Sequence, residues 1–260
     1  MQGGLRIKGI EKKSEIHLPL VSIITVVLNG EKFLEQTFNS VFKQTYSNIE
    51  YIVIDGGSTD NTINIIKQHD NQIDYWQSEK DKGLYYAMNT GISLAKGEVI
   101  GILNADDYYE IDTVKNVVDS YLKTYADILH GDILLITKNE IIRMKPDYDK
   151  MFQQPSIFHP ACFVKNSVYA TIGAYDTQYK ISADYDFLLR CIKNNYTFTY
   201  IPQILSHFRP GGMSASCDSN IEGYKIMKFH KTGFHKQVAW RAIKCYTKTF
   251  IKKLINLNNK

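Results

Sequence analysis

Acidic residues are missing from the end of this 260-residue chain: residues 225 to 260 hold nine Lys and one Arg with no Asp or Glu. Against a whole-chain charge of +4, the preceding 224 residues therefore carry a net −6. A mildly acidic body with a basic tail points to an anionic surface as partner, membrane or nucleic acid. Cysteine is scarce too. Cys162, Cys191, Cys217 and Cys245 lie 26 to 29 residues apart with no CxxC pair, which excludes the usual zinc and redox signatures and fits a reducing cytosol. No run of about 18 apolar residues occurs, and the first residues lack a long apolar stretch and a small-residue cleavage site. Neither a classical export signal nor a membrane-spanning helix is therefore expected. Neither GxGxxG nor GxxxxGK[ST] is spelled, so dinucleotide oxidoreductases and P-loop enzymes fall away.

What is present is ample apolar residue content, 44%, and 18 Tyr against two Trp. Length and composition fit one large domain, and rings with a polar tip suit a wet cleft as well as a core edge. Strand and helix signals alternate from residue 21 to about 123, the pattern of a mostly parallel α/β sheet covered by helices. VSIITVVL (21–28) is a continuous apolar run, as a buried parallel strand requires. Phe33, Leu34, Thr37, Phe38, Val41 and Phe42 then share a helical face. EYIVI (50–54), a short strand near DYWQS and VIGIL (99–103) supply further strands, and Gly97 is read as the stop of the helix LYYAMNTGISLAKG. Beyond residue 124 the character is α+β. DILHGDILLITKN and EIIRMKP read as a hairpin, ACFVKNSVYATIG as strand plus helix, and ADYDFLLRCIKNN as a helix before the strand TFTYIP. Residues 1–20 form an N-terminal extension on this reading, 21–216 one domain with halves 21–123 and 124–216, and 217–260 a basic helical segment.

Three apolar strands end in polar groups, at Asn29, at Asp55 and at Asn104, Asp106 and Asp107. In open α/β sheets ligands sit outside the carboxyl ends of the strands, so the three tips should share one cleft. Adjacent carboxylates there suit a hard cation, Mg²⁺ or Mn²⁺, carrying a diphosphate. NADD is equally readable as a cap for the helix that follows. DGGSTDNT (55–62) has the same two readings. Its glycines can let a nucleotide approach the backbone, or the stretch is a tight turn with Ser58, Thr59 or Asp60 as N-cap.

Taken together, VSIITVVLNGEKFLEQTFNSVFKQTY, DGGSTDNT, DKGLYYAMNTGISLAKGEVIGILNADD, HPACFVKNSVYATIGAYD, SADYDFLLR and HFRPGGMS resemble the family-2 glycosyltransferases of GT-A fold over roughly residues 20 to 216. The likeness is nearest to the branch that builds bacterial surface polysaccharides such as O-antigens and capsules. It implies a nucleotide-sugar donor, commonly UDP-linked, and inversion at the anomeric carbon. Val26 and Asn29 would border the base, Asp55 would read the uracil edge, and Asp81 and Asn89 would line the donor site. Asp106 and Asp107 would hold the metal and a ribose hydroxyl. Asn104 stands where the family's DxD begins with Asp and can still bond ribose without bringing charge.

A base is also needed, because the attacking acceptor hydroxyl must shed its proton. Asp184 matches the family's catalytic base, with Ala183 in place of the usual Glu; a helix-capping role is its alternative. HFRPGGMS brings Arg209, suited to forking onto phosphate oxygens, and His207, a further metal candidate, beside a glycine pair able to act as a lid. His159 matches a family position near donor sugar or acceptor. In the tail, Ala239, Ile243, Tyr246, Phe250, Leu254 and Leu257 share one helical face opposite Arg241, Lys244, Lys248 and Lys252. That stripe fits an interfacial helix on anionic lipid presenting a lipid-linked glycan acceptor, or packing onto the domain; with no reader motif, nucleic acid is not expected. The expectation is a cytoplasmic enzyme, peripheral at the inner face of the plasma membrane. A nucleotidyltransferase or a non-catalytic sugar-nucleotide or glycan-binding protein on the same scaffold are the alternatives.

Overall fold

A computed structural model describes residues 1–212, 216–232, 239, 240 and 242–245. The first apolar run becomes β2 (Val21–Val27), buried at every position. β3 (Ile49–Asp55) and β5 (Val99–Asn104) lie parallel to it on either side, and β4 (Tyr75–Ser78) continues the parallel set beyond β3. The residues before β2 are not a loose extension, since β1 (Gln2–Gly3) pairs with β4 and closes that edge. On the other flank β9 (Cys162–Lys165) runs antiparallel to both β5 and β7 (Ile128–Ile136). β10 (Phe198–Phe208) lies parallel to β7, β6 (Tyr108–Tyr109) borders β10, and β8 (Ile141–Met144) forms the expected hairpin with β7. The result is one mixed, largely parallel sheet in the order β1-β4-β3-β2-β5-β9-β7-β10-β6.

Period-two alternation sorts the side chains onto two faces. Ile24, Val26, Ile52, Ile54 and Ile102 face α3 (Leu84–Leu94), α5 (Asn166–Ile172) and α6 (Ala183–Lys193). Ile23, Val27, Val53 and Leu103 face α1 (Leu34–Phe42), α2 (Thr62–Gln68) and α4 (Thr113–Thr124). Leu34 and Phe38 are fully buried on α1, so Phe38→Ala would cost about 3–5 kcal/mol.

Local details differ from expectation. Helix α3 stops at Leu94 on an extended Ala95, not at Gly97. Gly97 instead packs against β2, where an added Cβ would lie 2.5 Å from the Ser22 amide nitrogen. The residue before α2 is Asn61, with no side-chain cap, rather than Ser58, Thr59 or Asp60. Cys217, at the start of α7 (Cys217–Phe229), is disulfide-bonded to Cys245, whereas Cys162 and Cys191 are buried and free. Spacing motifs cannot register a pair 28 residues apart, and the cysteines therefore give no argument for a reducing compartment. Of the tail's apolar stripe, Ala239 is buried and Ile243 exposed. Tyr246, Phe250, Leu254 and Leu257, with Arg241, Lys248 and Lys252, lie outside the described residues, as do Met213 to Ala215 of the expected lid. No described helix is long and apolar enough to cross a membrane.

Candidate active site

Register brings the polar strand tips together: Val27 pairs with Asp55 and Val26 with Asn104, so both tips flank the end of β2. Asp55 is 1% exposed, yet its carboxylate is well supplied with donors. It accepts the Ser58 N–H at 3.1 Å, the Ser58 hydroxyl and, at 2.6 Å, the Ser78 hydroxyl. Gly57 has φ +86°, and a Cβ on Gly56 would sit 2.6 Å from the Asp81 carboxylate; the glycine pair thus serves both the turn and the approach of Asp81. Asn29, itself left-handed at φ 53°, accepts the Thr59 N–H at 2.9 Å and ties the two loops.

Beyond β5 the chain bends through Asn104, Ala105, Asp106 and Asp107. Thr37 of α1 pins this bend by donating to the carbonyls of Ala105 (2.9 Å) and Asp107 (2.7 Å). Asp107 is fully buried, and its carboxylate accepts the Arg209 N–H at 3.0 Å and, weakly, the Asn104 amide at 3.5 Å. Burial and the adjacent Asp106 push its carboxyl up to about 8. Burial also raises Asp106, which remains partly open to solvent. Neither acid caps α4, whose start carries no side-chain cap. The Asn104 Oδ1 is buried with no partner. Arg209 lies across the bend, 4.4 Å from the Phe33 ring centre and 5.0 Å from that of Tyr108, and donates to the Asp106 carbonyl and to Gln36.

Tyr85, in the first turn of α3 four residues after Asp81, links α3 to α6 by donating to Asp184 Oδ1 at 2.9 Å. The α6 start has no side-chain cap, so Asp184 is not spent on the helix end. Asp186, two residues on, is structural, held by Arg190 at 2.9 Å and His230 at 2.7 Å. His159 and Asp184 line a small, partly open cavity of about 10 Å³ with Tyr169 and Tyr175, room for about one water. The His159 Nε2 is buried there without a partner, and burial lowers the ring's pKa against the pull of Asp184.

Asp55, Gly56 and Asp81 thus gather at the tip of β3, Tyr85 reaches from α3 to Asp184, and Arg209, Asp106, Asp107 and Asn104 lie on the other side of the end of β2. Three expected residues stand apart. Val26 is turned into the core, 4% exposed. Asn89 clasps the backbone of Tyr175 through bonds of 2.8 and 3.0 Å. His207 belongs to β10 rather than to a lid, stacked on Tyr108 and bonded to Glu110 at 2.7 Å. No group of three or more His, Cys, Asp or Glu is gathered for a cation among the described residues. Sequence reasoning missed Glu222 of α7, whose carboxylate accepts the N–H groups of Lys180 (2.9 Å), Ile181 (2.8 Å) and Ser182 (3.1 Å) and so fastens the loop leading to Asp184. Only the fold puts these residues, 40 to 42 positions apart, together.

The sequence matches "Glycosyl transferase family 2" over residues 22–172. A PGL/p-HBAD biosynthesis glycosyltransferase of Mycobacterium bovis (strain BCG / Pasteur 1173P2) is 32% identical over 204 residues, covering 75% of this chain and 79% of its own. Among solved structures, S. aureus TarS 1-349 in complex with UDP-GlcNAc superposes with TM-score 0.68 at 17% identity, covering 85% of this chain and 69% of that one. The mannosyltransferase PcManGT from Pyrobaculum calidifontis, in complex with GDP-Man and Mn2+, gives 0.65 at 16%, covering 92% and 76%. The mixed sheet flanked by helices is thus the GT-A fold those structures share, and on the family match and the 32% identical relative this chain belongs to glycosyltransferase family 2.

Proposed function

We propose that the protein is an inverting, cation-dependent transferase that moves a hexose from a nucleotide sugar, UDP-linked by preference, to a lipid-linked glycan in surface-polysaccharide assembly. The observation that carries this reading is the under-partnered acid bend: two carboxyls with raised pKa values beside an orphaned amide oxygen. Such a donor set fits Mg²⁺ or Mn²⁺, with Asp106 the accessible ligand and Asn104 Oδ1 beside it, while Asp107 supports the bend from below. When bound, the cation supplies positive charge against the diphosphate leaving group. His207 is not part of this assignment.

Asp184 serves as the base. Tyr85 fixes one of its oxygens, which leaves the other to take the acceptor proton as the acceptor oxygen bonds to the anomeric carbon and the bond to the diphosphate breaks on the opposite face. Arg209 stands over the acid bend where negative charge gathers on the leaving group. The turn at Asp55, with Asp81 on Gly56, offers a glycine-lined floor for the nucleoside. In this reading residues 21–216 are the transferase domain and the basic segment 217–260 meets anionic lipid at the cytoplasmic face of the membrane.

A thermal-shift screen of UDP-, GDP-, dTDP- and CMP-sugars with and without Mn²⁺ tests the donor assignment. Stabilisation by a UDP-sugar only when Mn²⁺ is present is the expected result; no response to any of the four at millimolar metal would remove the reading.

A further inference from the structure

Helix α7 is fastened to α6, and to the loop before it, by attachments that differ at its two ends. Toward the end of α7, Ile226 and Met227 are buried in the core, the His230 ring that follows bonds Asp186 at 2.7 Å, and Lys193 donates to the His230 carbonyl. Toward its start, Ile221 is buried, Glu222 receives the N–H groups of Lys180, Ile181 and Ser182, and Cys217 is bonded to Cys245. The chain leaves β10 through Gly211 and Gly212, both exposed and with space around each for an added Cβ. The disulfide is thus the covalent tie of the first turn of α7 to a distant part of the chain.

From Glu222 the path to Asp184 is short. Ser182 precedes α6 without giving it a side-chain cap, and the Glu222 carboxylate supplies the acceptor for the free N–H groups there. On the other side of the same loop, the Tyr85 hydroxyl lies 2.8 Å from the Ile181 carbonyl and 2.9 Å from Asp184 Oδ1. A shift of Glu222 therefore moves Ile181, which shares its hydroxyl partner with Asp184. The four cysteines also differ in access. Cys217 and Cys245 are half-buried, whereas Cys162 and Cys191 are buried and burial pushes both thiols up, Cys191 to about 12. A thiolate is the reacting species, so exchange is confined to Cys217 and Cys245. In the cytoplasm that the proposed function assigns to this chain, a protein disulfide is usually a redox-responsive bond rather than a permanent staple.

We propose that Cys217–Cys245 is a thiol–disulfide switch: the bond holds the start of α7, and with it Glu222, in the position that fixes Asp184, and its reduction slows transfer. The reductant is a low-molecular-weight thiol such as glutathione. A glutathione thiolate attacks one sulfur, the protein S–S bond breaks, and the other sulfur leaves as a thiolate that takes up a proton. A second glutathione thiolate then attacks the mixed disulfide. The protein thus gains two electrons and two protons as two thiols, and glutathione disulfide departs. The effect on turnover rests on the transferase reading; the response of the loop at Lys180 to Ser182 does not.

The test is hydrogen–deuterium exchange on the full chain, equilibrated in buffers of graded ratio of glutathione to glutathione disulfide. Iodoacetamide should label Cys217 and Cys245 together over one transition and leave Cys162 and Cys191 unlabelled. The amides of Lys180, Ile181 and Ser182 should exchange about tenfold faster in the reduced chain, while those of β2 and β3 stay unchanged. Over the same transition, kcat for release of UDP from UDP-glucose, UDP-galactose or UDP-N-acetylglucosamine with Mn²⁺ should fall about tenfold at constant KM. Cys245→Ser should match the reduced chain in every buffer. Glu222→Ala should exchange fast at these amides whatever the buffer, and the conservative Glu222→Gln should narrow the difference between the two states. Thiols that stay free in excess glutathione disulfide, equal loop exchange in both states, a redox effect that survives Glu222→Ala, or UDP release indifferent to the buffer would each overturn the proposal. Loop exchange that follows the buffer, with no UDP release from any of the three sugars, would leave the switch standing and sink the donor reading instead.

Discussion

Two acidic strand tips flank β2, and they are finished differently. At the Asp55 turn the carboxylate receives a backbone N–H and two serine hydroxyls, all from within the fold. At the Asn104 to Asp107 bend two acids lie side by side, both with raised pKa, and the Asn104 oxygen has nothing to accept. Buried polar groups in a stable protein are normally satisfied, so the first tip is complete as it stands, and on the proposed function the second would be completed by a ligand. Position at a strand end alone does not distinguish them; the inventory of donors does.

Substitutions can break or sharpen that contrast. The largest effect belongs to the chemistry that the two tips serve: Asp184→Asn should lower turnover by about 100- to 10,000-fold while donor affinity, read by calorimetry, is retained. Asp106→Asn should cut transfer by about 100-fold and abolish the rise in melting temperature on adding Mn²⁺, which for wild type at a hundredfold excess over Kd is worth about 2.7 kcal/mol. Without cation, the same variant should melt no lower than wild type, since it removes a repulsive neighbour from Asp107.

Asp55→Asn should behave in the opposite way, losing about 2 kcal/mol of stability in denaturant titration because charge-assisted bonds from Ser58 and Ser78 are weakened. The most diagnostic effect is on pH. The Asp107 carboxyl is raised in the folded chain, so between about pH 4 and 8 the folded state holds a proton that the unfolded chain has released. Stability in the presence of a chelator should accordingly fall as pH rises through that window, with a slope of at most about 1.4 kcal/mol per unit, and Asp107→Asn should flatten it. A rising slope would place the two tips in the same class.

Much of residues 21–123 was legible because the signals there are local. Apolar runs bounded by Asn29, Asp55 and Asn104 identify strands and their tips at once, and period-two alternation assigns the faces of β2, β3 and β5. Residues 124–216 were less so. β9 enters the sheet antiparallel between β5 and β7, a pairing that no short-range pattern encodes. His207 reads as a loop ligand beside Gly211 and Gly212, yet β10 carries pairing up to Phe208, and Glu110 captures its ring. Val26 and Asn89 sit in family-like motifs, but one side chain fills core and the other holds Tyr175. Glu222 and the Cys217–Cys245 bond depend on contacts across long stretches of chain and had no local signature.

The Glu222 clasp has a consequence for biosynthesis. The loop into the Asp184 helix is held by three bonds from a residue translated about 40 positions later. While α7 is still inside the ribosomal tunnel the nascent chain can assemble its sheet but not fasten that loop, so competence to transfer sugar would arrive as a late event, set by emergence of one glutamate.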